Sequence, residues 1–74
     1  MNITVTYKDD VFAVYKDGKE TYTRSGLAVH MQEVALPISA ALTFLLMVEA
    51  EVRSEDVKKA IATLLETGTY SFNR

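Results

Sequence analysis

A two-residue Asp17-Gly18 step between β-prone segments constrains the fold of this chain more than any other feature. Asp-Gly supplies the positive φ angles that a two-residue hairpin turn requires, and residues 11–15 and 20–24 on either side are rich in β-forming side chains. Upstream, residues 2–8 alternate between polar and apolar side chains, which is typical of a strand with one buried face. The sequence therefore predicts an antiparallel three-stranded meander, with a second polar turn just after residue 8.

The lengths of the two turns predict the register of the sheet, because a one-residue slip would exchange its two faces. A two-residue loop at Asp17-Gly18 pairs Tyr15 with Glu20, Val14 with Thr21 and Ala13 with Tyr22. A two-residue loop at Asp9-Asp10 pairs Tyr7 with Phe12. The predicted core face carries Ile3, Val5, Tyr7, Phe12 and Val14. The opposite face carries Thr4, Thr6, Val11, Ala13, Tyr15, Glu20, Tyr22 and Arg24.

Helical periodicity replaces the alternation after Ser25-Gly26. Residues 27–35 fit a short helix or a fourth strand, and the helix is favoured. Pro37 marks a boundary because proline suits the first turn of a helix. From Pro37 to about Val52 the chain predicts a helix that is apolar on two sides.

A further helix follows, for which Ser54 is a natural N-cap. Its apolar residues form one stripe from Val57 to Leu65. Gly68 provides a left-handed C-terminal cap, and residues 69–72 return to the sheet as a short strand. The whole of residues 1–74 is thus expected to form one α+β domain: a three-stranded β-meander, two or three α-helices packed on one sheet face, and a short C-terminal edge strand.

The composition argues against most catalytic and metal-binding sites. There is no cysteine among the 74 residues, so disulfide frameworks, thiolate metal sites and cysteine nucleophiles are excluded. His30 is the only histidine; the glycines are isolated, and Asp9-Asp10 is explained as a turn. We therefore expect a protein that is not an enzyme and holds no cofactor or metal. A pH switch at His30, or a ligand site built on paired carboxylates, is the less favoured alternative.

Residues 34–48 form the longest uncharged segment, and this segment is shorter than the ~20 residues that a membrane-spanning helix needs. The N-terminal residues lack the basic and apolar regions of a secretory signal. The expectation is a cytoplasmic protein that does not contact the membrane.

Two surfaces are candidate contacts for another protein. On the sheet, Tyr15 and Tyr22 offer amphipathic rings beside Glu20 and Arg24, although tyrosines also occur on the solvated face of an ordinary sheet. A cluster of carboxylates forms the second surface and suits a basic partner, although it also fits a solvated helix end. This acidic corner consists of Glu49, Glu51, Glu55 and Asp56.

The second apolar side of the 37–52 helix carries Ala40, Phe44 and Met47. The following helix has one apolar stripe, which is too narrow to cover both these residues and the sheet. Self-association would cover them and add the buried area that so short a chain lacks, so a homo-oligomer is expected, with a dimer favoured.

These observations favour a non-enzymatic protein-interaction module. By analogy of size and chemistry, it resembles the small accessory or inhibitory proteins of phages and mobile elements that bind larger host-defence complexes, as anti-CRISPR and anti-restriction proteins do. The alternative is a single-stranded nucleic-acid binder that stacks bases on Tyr15 and Tyr22. Its candidate phosphate contacts are Lys8, Lys16, Lys19 and Arg24. The formal net charge of -2 argues against that alternative.

Overall fold

The computed structural model describes residues 1–74 and contains one antiparallel sheet with three helices packed on it. The elements are β1 (Asn2–Lys8), β2 (Val11–Lys16), β3 (Lys19–Ser25), α1 (Leu27–Glu33), α2 (Ile38–Val48), α3 (Ser54–Thr67) and β4 (Thr69–Asn73). The strand order is β3-β2-β1-β4, so the meander is extended by the C-terminal strand at the free edge of β1. The predicted α+β class, meander and edge strand are confirmed.

Both hairpin turns place their two central residues at positive φ. Asp9 and Asp10 have φ of 51° and 59°, and Asp17 and Gly18 have φ of 50° and 81°. This geometry matches the right-handed twist of the flanking strands. The first turn gives the predicted β1–β2 register, in which Tyr7 lies opposite Phe12.

The β2–β3 register departs from the prediction by one residue. Tyr15 lies opposite Glu20 as expected, but Val14 lies opposite Tyr22, because Thr21 is an extra residue in a β-bulge. The predicted pairs of Val14 with Thr21 and of Ala13 with Tyr22 are therefore wrong. Beyond the bulge every side chain of β3 changes face, so Tyr22 joins the core face that was predicted for the other strands.

Residues Leu27–Glu33 form helix α1, so the helix that was favoured over a strand is confirmed. The chain leaves this helix through Ala35, which has a left-handed conformation. The N–H of Ala35 bonds to the carbonyl of Gln32 at 3.1 Å, and the N–H of Leu36 bonds to that of Met31 at 3.0 Å. This pair of bonds defines a Schellman motif, with Ala35 at φ 57° in the position where glycine is usual.

Helix α2 starts after Pro37, as predicted, but ends at Val48 and not near Val52. The chain leaves the helix because Ala50 and Val52 turn inward and become buried in the core. Glu51 lies between them at φ 56°, which no helix accommodates.

Helix α3 begins at Ser54, and the residue at its N-cap position is Arg53, with no side-chain capping bond. The prediction of Ser54 as N-cap is therefore wrong. Its C-terminal cap is Gly68, as predicted, at φ 83° with its N–H bonded to the carbonyl of Leu64 at 2.9 Å.

One apolar core lies between the sheet and the helices, and it contains no buried polar side chain. Its members are Ile3, Val5, Phe12, Val14, Leu27, Leu42, Leu45, Leu46, Ala50, Val52, Val57, Ala60 and Leu64. The core uses one face of the sheet and one side of α2, which leaves the other side of α2 facing outward.

Candidate protein-interaction surface

Helix α2 exposes an apolar face. Its sequence, ISAALTFLLMV, has no charged residue, and its outward side carries Ala40, Phe44, Met47 and Val48. The spacing i, i+4, i+7, i+8 places these four residues on one side of a helix. Phe44 is 63% exposed, Met47 42% and Val48 52%. We call this surface the α2 stripe.

The buried side of the same helix carries Leu42, Leu45 and Leu46. The prediction of a helix apolar on two sides is therefore correct, and α3 covers only one of them. Ala40, Phe44 and Met47, singled out from the sequence, come together on the uncovered side. Their role in self-association stays a prediction.

An apolar groove of about 250 Å³ runs between α1 and α2, beside the stripe. We call it the α1–α2 groove. Its lining consists of Arg24, Leu27, His30, Met31, Leu36, Ala40, Ala41, Phe44 and Leu45. Arg24 and His30 are its only residues with polar side chains, so the groove suits an apolar side chain.

The sequence reasoning missed this groove. The signal was Leu36, which belongs to the uncharged 34–48 segment and lies outside both predicted helices. It is 53% exposed in the connection between α1 and α2, and it lines the groove. Together with the α2 stripe it extends the uncharged surface beyond a single helix.

The predicted tyrosine pair on the outer sheet face does not form. Tyr15 is half-buried on that face, opposite Thr4. Tyr22 lies on the other face, where its ring packs edge-on against Phe12 with the centroids 6.1 Å apart. Arg24, paired with Phe12, also follows the core-side register and lines the groove. The outer face therefore lacks the pair of neighbouring tyrosine rings on which a single-stranded nucleic acid would stack two bases.

The acidic corner is less negative than its sequence suggests. Glu51 lies 2.7 Å from the guanidinium of Arg74 and 3.5 Å from the ammonium of Lys16. Glu55 lies 3.5 Å from the guanidinium of Arg53. A cavity of about 350 Å³ beside these pairs is lined by both cations and carboxylates. Because local cations oppose these two carboxylates, the corner offers a mixed surface in place of a strongly acidic one.

The environment of Tyr7 shifts the pKa of its phenol. Burial, a hydrogen bond to Asp10 and the negative charge of that carboxylate raise the pKa of Tyr7 from 10.0 to about 12. All three effects favour the neutral phenol. His30 is exposed on α1, at the groove.

No three residues among His30, the aspartates and the glutamates are arranged to hold a metal ion. None of the three helices combines the length and the apolar composition required to cross a bilayer.

No protein-family model matches the sequence, and no curated protein or solved structure matches the chain either.

Proposed function

We propose that this chain is a non-enzymatic protein–protein interaction module whose contact surface is the α2 stripe together with the α1–α2 groove. One observation carries the proposal: an eleven-residue helix without a single charge has four apolar residues on its exposed side. Surface helices normally carry polar residues on the solvated side.

Apolar surface of this kind is typical of binding sites. Contiguous exposed apolar patches larger than a few hundred Å² are rare on monomeric domains and mark contact surfaces. Interface cores are enriched in aromatic residues and methionine and depleted in charge, which fits Phe44, Met47 and the uncharged α2 helix. The groove adds a concave element next to the protruding Phe44, and such a combination favours a specific fit.

The biological class of the module is proposed from size and composition. A chain of 74 residues with a net charge of -2 resembles the accessory or inhibitory proteins of phages and mobile elements, which act by occupying a surface of a larger complex. In this proposal the chain contributes binding, and any activity belongs to the complex that it binds.

The test is a quantitative pull-down from cells of the encoding organism with the wild type and Phe44→Asp. A charge placed at the centre of the stripe should abolish enrichment of the specific partner. Leu65→Asp is the matched control, because Leu65 is 54% exposed on α3 and lies outside the stripe. Equal capture by wild type and Phe44→Asp would refute the proposal.

A further inference from the structure

We infer that the α2 stripe binds the α2 stripe of a second copy of this chain, antiparallel, about a twofold axis that passes beside Phe44. The inference rests on the proposed function, because it takes the stripe to be a contact surface, and it names the occupant. Three features of the structure make the stripe complementary to a second copy of itself in this orientation.

The first feature is the size pattern along α2. In an antiparallel pair centred on Phe44, Ala40 faces Val48 of the second copy, and Ala41 faces its Met47. A small residue thus meets a large one on both sides of the axis, as interdigitating helices require. A parallel pair would instead bring Met47 onto Met47 and Ala40 onto Ala40, which overfills one end and leaves a gap at the other.

The second feature is the groove. Ala40 and Ala41 belong to its lining, so the antiparallel pairing directs the Met47 side chain of the second copy toward it. Methionine is unbranched and adapts to irregular apolar gaps. The groove volume of about 250 Å³ leaves room for this side chain. The twofold axis repeats the same contact in the other copy.

The third feature is charge. The α2 N-terminus has no side-chain cap and no acidic residue in its first turn, and Glu49 follows its C-terminus, where a negative charge is unfavourable. The antiparallel pairing places the negative C-terminal end of the α2 dipole in one copy beside the positive, uncapped N-terminal end in the other. Parallel pairing would instead bring like ends of the two helix dipoles together.

The exposed area is consistent with a dimer of modest stability. The large side chains of the stripe, with Leu36 beside them, expose on the order of 400 Å². A standard interface buries about 800 Å² of surface from each partner. More than half of that buried surface is apolar, and the apolar part is concentrated at the centre of the interface. The stripe and its surroundings therefore supply most of the apolar core of such an interface.

The first experiment measures mass by light scattering and sedimentation over a range of protein concentrations. The wild type should approach twice its 8.3 kDa chain mass as concentration rises. Phe44→Asp should raise the dissociation constant roughly 30-fold or more, whereas Leu65→Asp should leave it unchanged. Circular dichroism confirms that each variant is folded.

The second experiment tests the geometry and does not depend on Phe44→Asp folding. Because the chain has no cysteine, single introduced thiols report contacts between copies. Phe44→Cys should form a covalent dimer under oxidation, and Ala40→Cys mixed with Val48→Cys should form a heterodimer. Ala40→Cys alone should not cross-link, because the two positions would lie beyond the ~7 Å Cα separation that a disulfide spans. Cross-linking of Ala40→Cys alone would overturn the antiparallel arrangement.

The two proposals fail differently. A wild type that stays monomeric at every concentration, with capture of a partner that still depends on Phe44, overturns the dimer and leaves the interaction module standing. If the wild type stays monomeric and captures the same proteins as Phe44→Asp, both proposals are overturned. A concentration-dependent dimer that Phe44→Asp dissociates and Leu65→Asp does not supports the inference.

Discussion

The hydroxyl of Tyr7 donates a 2.7 Å hydrogen bond to the Oδ1 atom of Asp10. The same oxygen accepts the backbone N–H of Ala28 at 2.9 Å. Ala28 is the second residue of α1, and the N-cap residue of this helix is Gly26, which has no side chain to cap it. A turn residue of the sheet thus provides the missing cap, and it ties the first hairpin to the first helix.

Replacing Asp10 by alanine should lower the free energy of unfolding by about 2–3 kcal/mol. The change removes the cap of α1 and the acceptor of Tyr7, and it places alanine at positive φ. Asp10→Asn should cost less, because asparagine tolerates positive φ and keeps one acceptor oxygen. Urea denaturation measures both.

Asp9→Ala is the matched control for that substitution. Asp9 has φ of 51° in the same turn but is exposed, so only the conformational cost of about 1 kcal/mol should remain. Equal losses at the two positions would show that the Asp10 side chain contributes nothing.

Ionisation of Tyr7 should destabilise the fold at high pH. Because its pKa rises from 10.0 in the unfolded chain to about 12 in the fold, the proton binds more tightly in the native state. The stabilisation is fully present below pH 10 and is lost as the pH rises toward 12. Comparing the wild type with Tyr7→Phe in urea at several pH values should show their stability difference shrinking over that interval. A constant difference would contradict the shift.

The elements that the sequence predicted correctly depend on local chemistry. Asp17-Gly18 determines a turn by its own φ angles, and Pro37 and Gly68 mark helix ends by theirs. The uncharged composition of α2 likewise predicted an exposed apolar side, because a single-stripe α3 lacks the width to cover it.

The errors arose where tertiary packing overrides local pattern. The residue types near Thr21 do not predict a bulge, yet the bulge places the ring of Tyr22 against Phe12. Val52 continues the apolar stripe of the predicted 37–52 helix, but in the structure Ala50 and Val52 are buried in the core beyond the end of α2. The uncharged 34–48 segment indicated an apolar surface, but the shape of the groove depends on how α1 lies against α2.

Because the bulge places Tyr22 and Tyr15 on opposite faces of the sheet, we expect their substitution to change stability by different amounts. Tyr22→Ala should lower the free energy of unfolding by about 2–3 kcal/mol, since it removes a ring packed against the core. Tyr15→Ala should cost about 1 kcal/mol, since Tyr15 lies on the outer face and is not among the residues packed against the core. Thermal unfolding of the two variants would decide the point. Equal losses would contradict the observed register and support the regular hairpin.

Ala35→Gly should stabilise the protein by about 1 kcal/mol. Ala35 occupies the left-handed position of the Schellman motif at φ 57°, where a Cβ atom is unfavourable and glycine is not. Its side chain is exposed, so no packing is lost. Ala62→Gly, at an exposed position inside α3, is the control and should destabilise by a similar amount. A loss of stability at both positions would be inconsistent with strain at Ala35.

Glu51 combines two opposing effects that substitution can separate. Its carboxylate pairs with Arg74 at 2.7 Å and Lys16 at 3.5 Å, but its backbone is held at φ 56°. Glu51→Gln removes the ion pairs alone, and because Glu51 and Arg74 are exposed it should cost less than about 1 kcal/mol. Glu51→Gly removes the pairs and also relieves the backbone, so its stability should lie close to that of the wild type at low salt. In about 1 M salt the pairs are screened, and Glu51→Gly should then exceed the wild type by about 1 kcal/mol. Urea titrations at both ionic strengths measure this reversal. If Glu51→Gly is less stable than Glu51→Gln in high salt, the predicted relief of backbone strain is excluded.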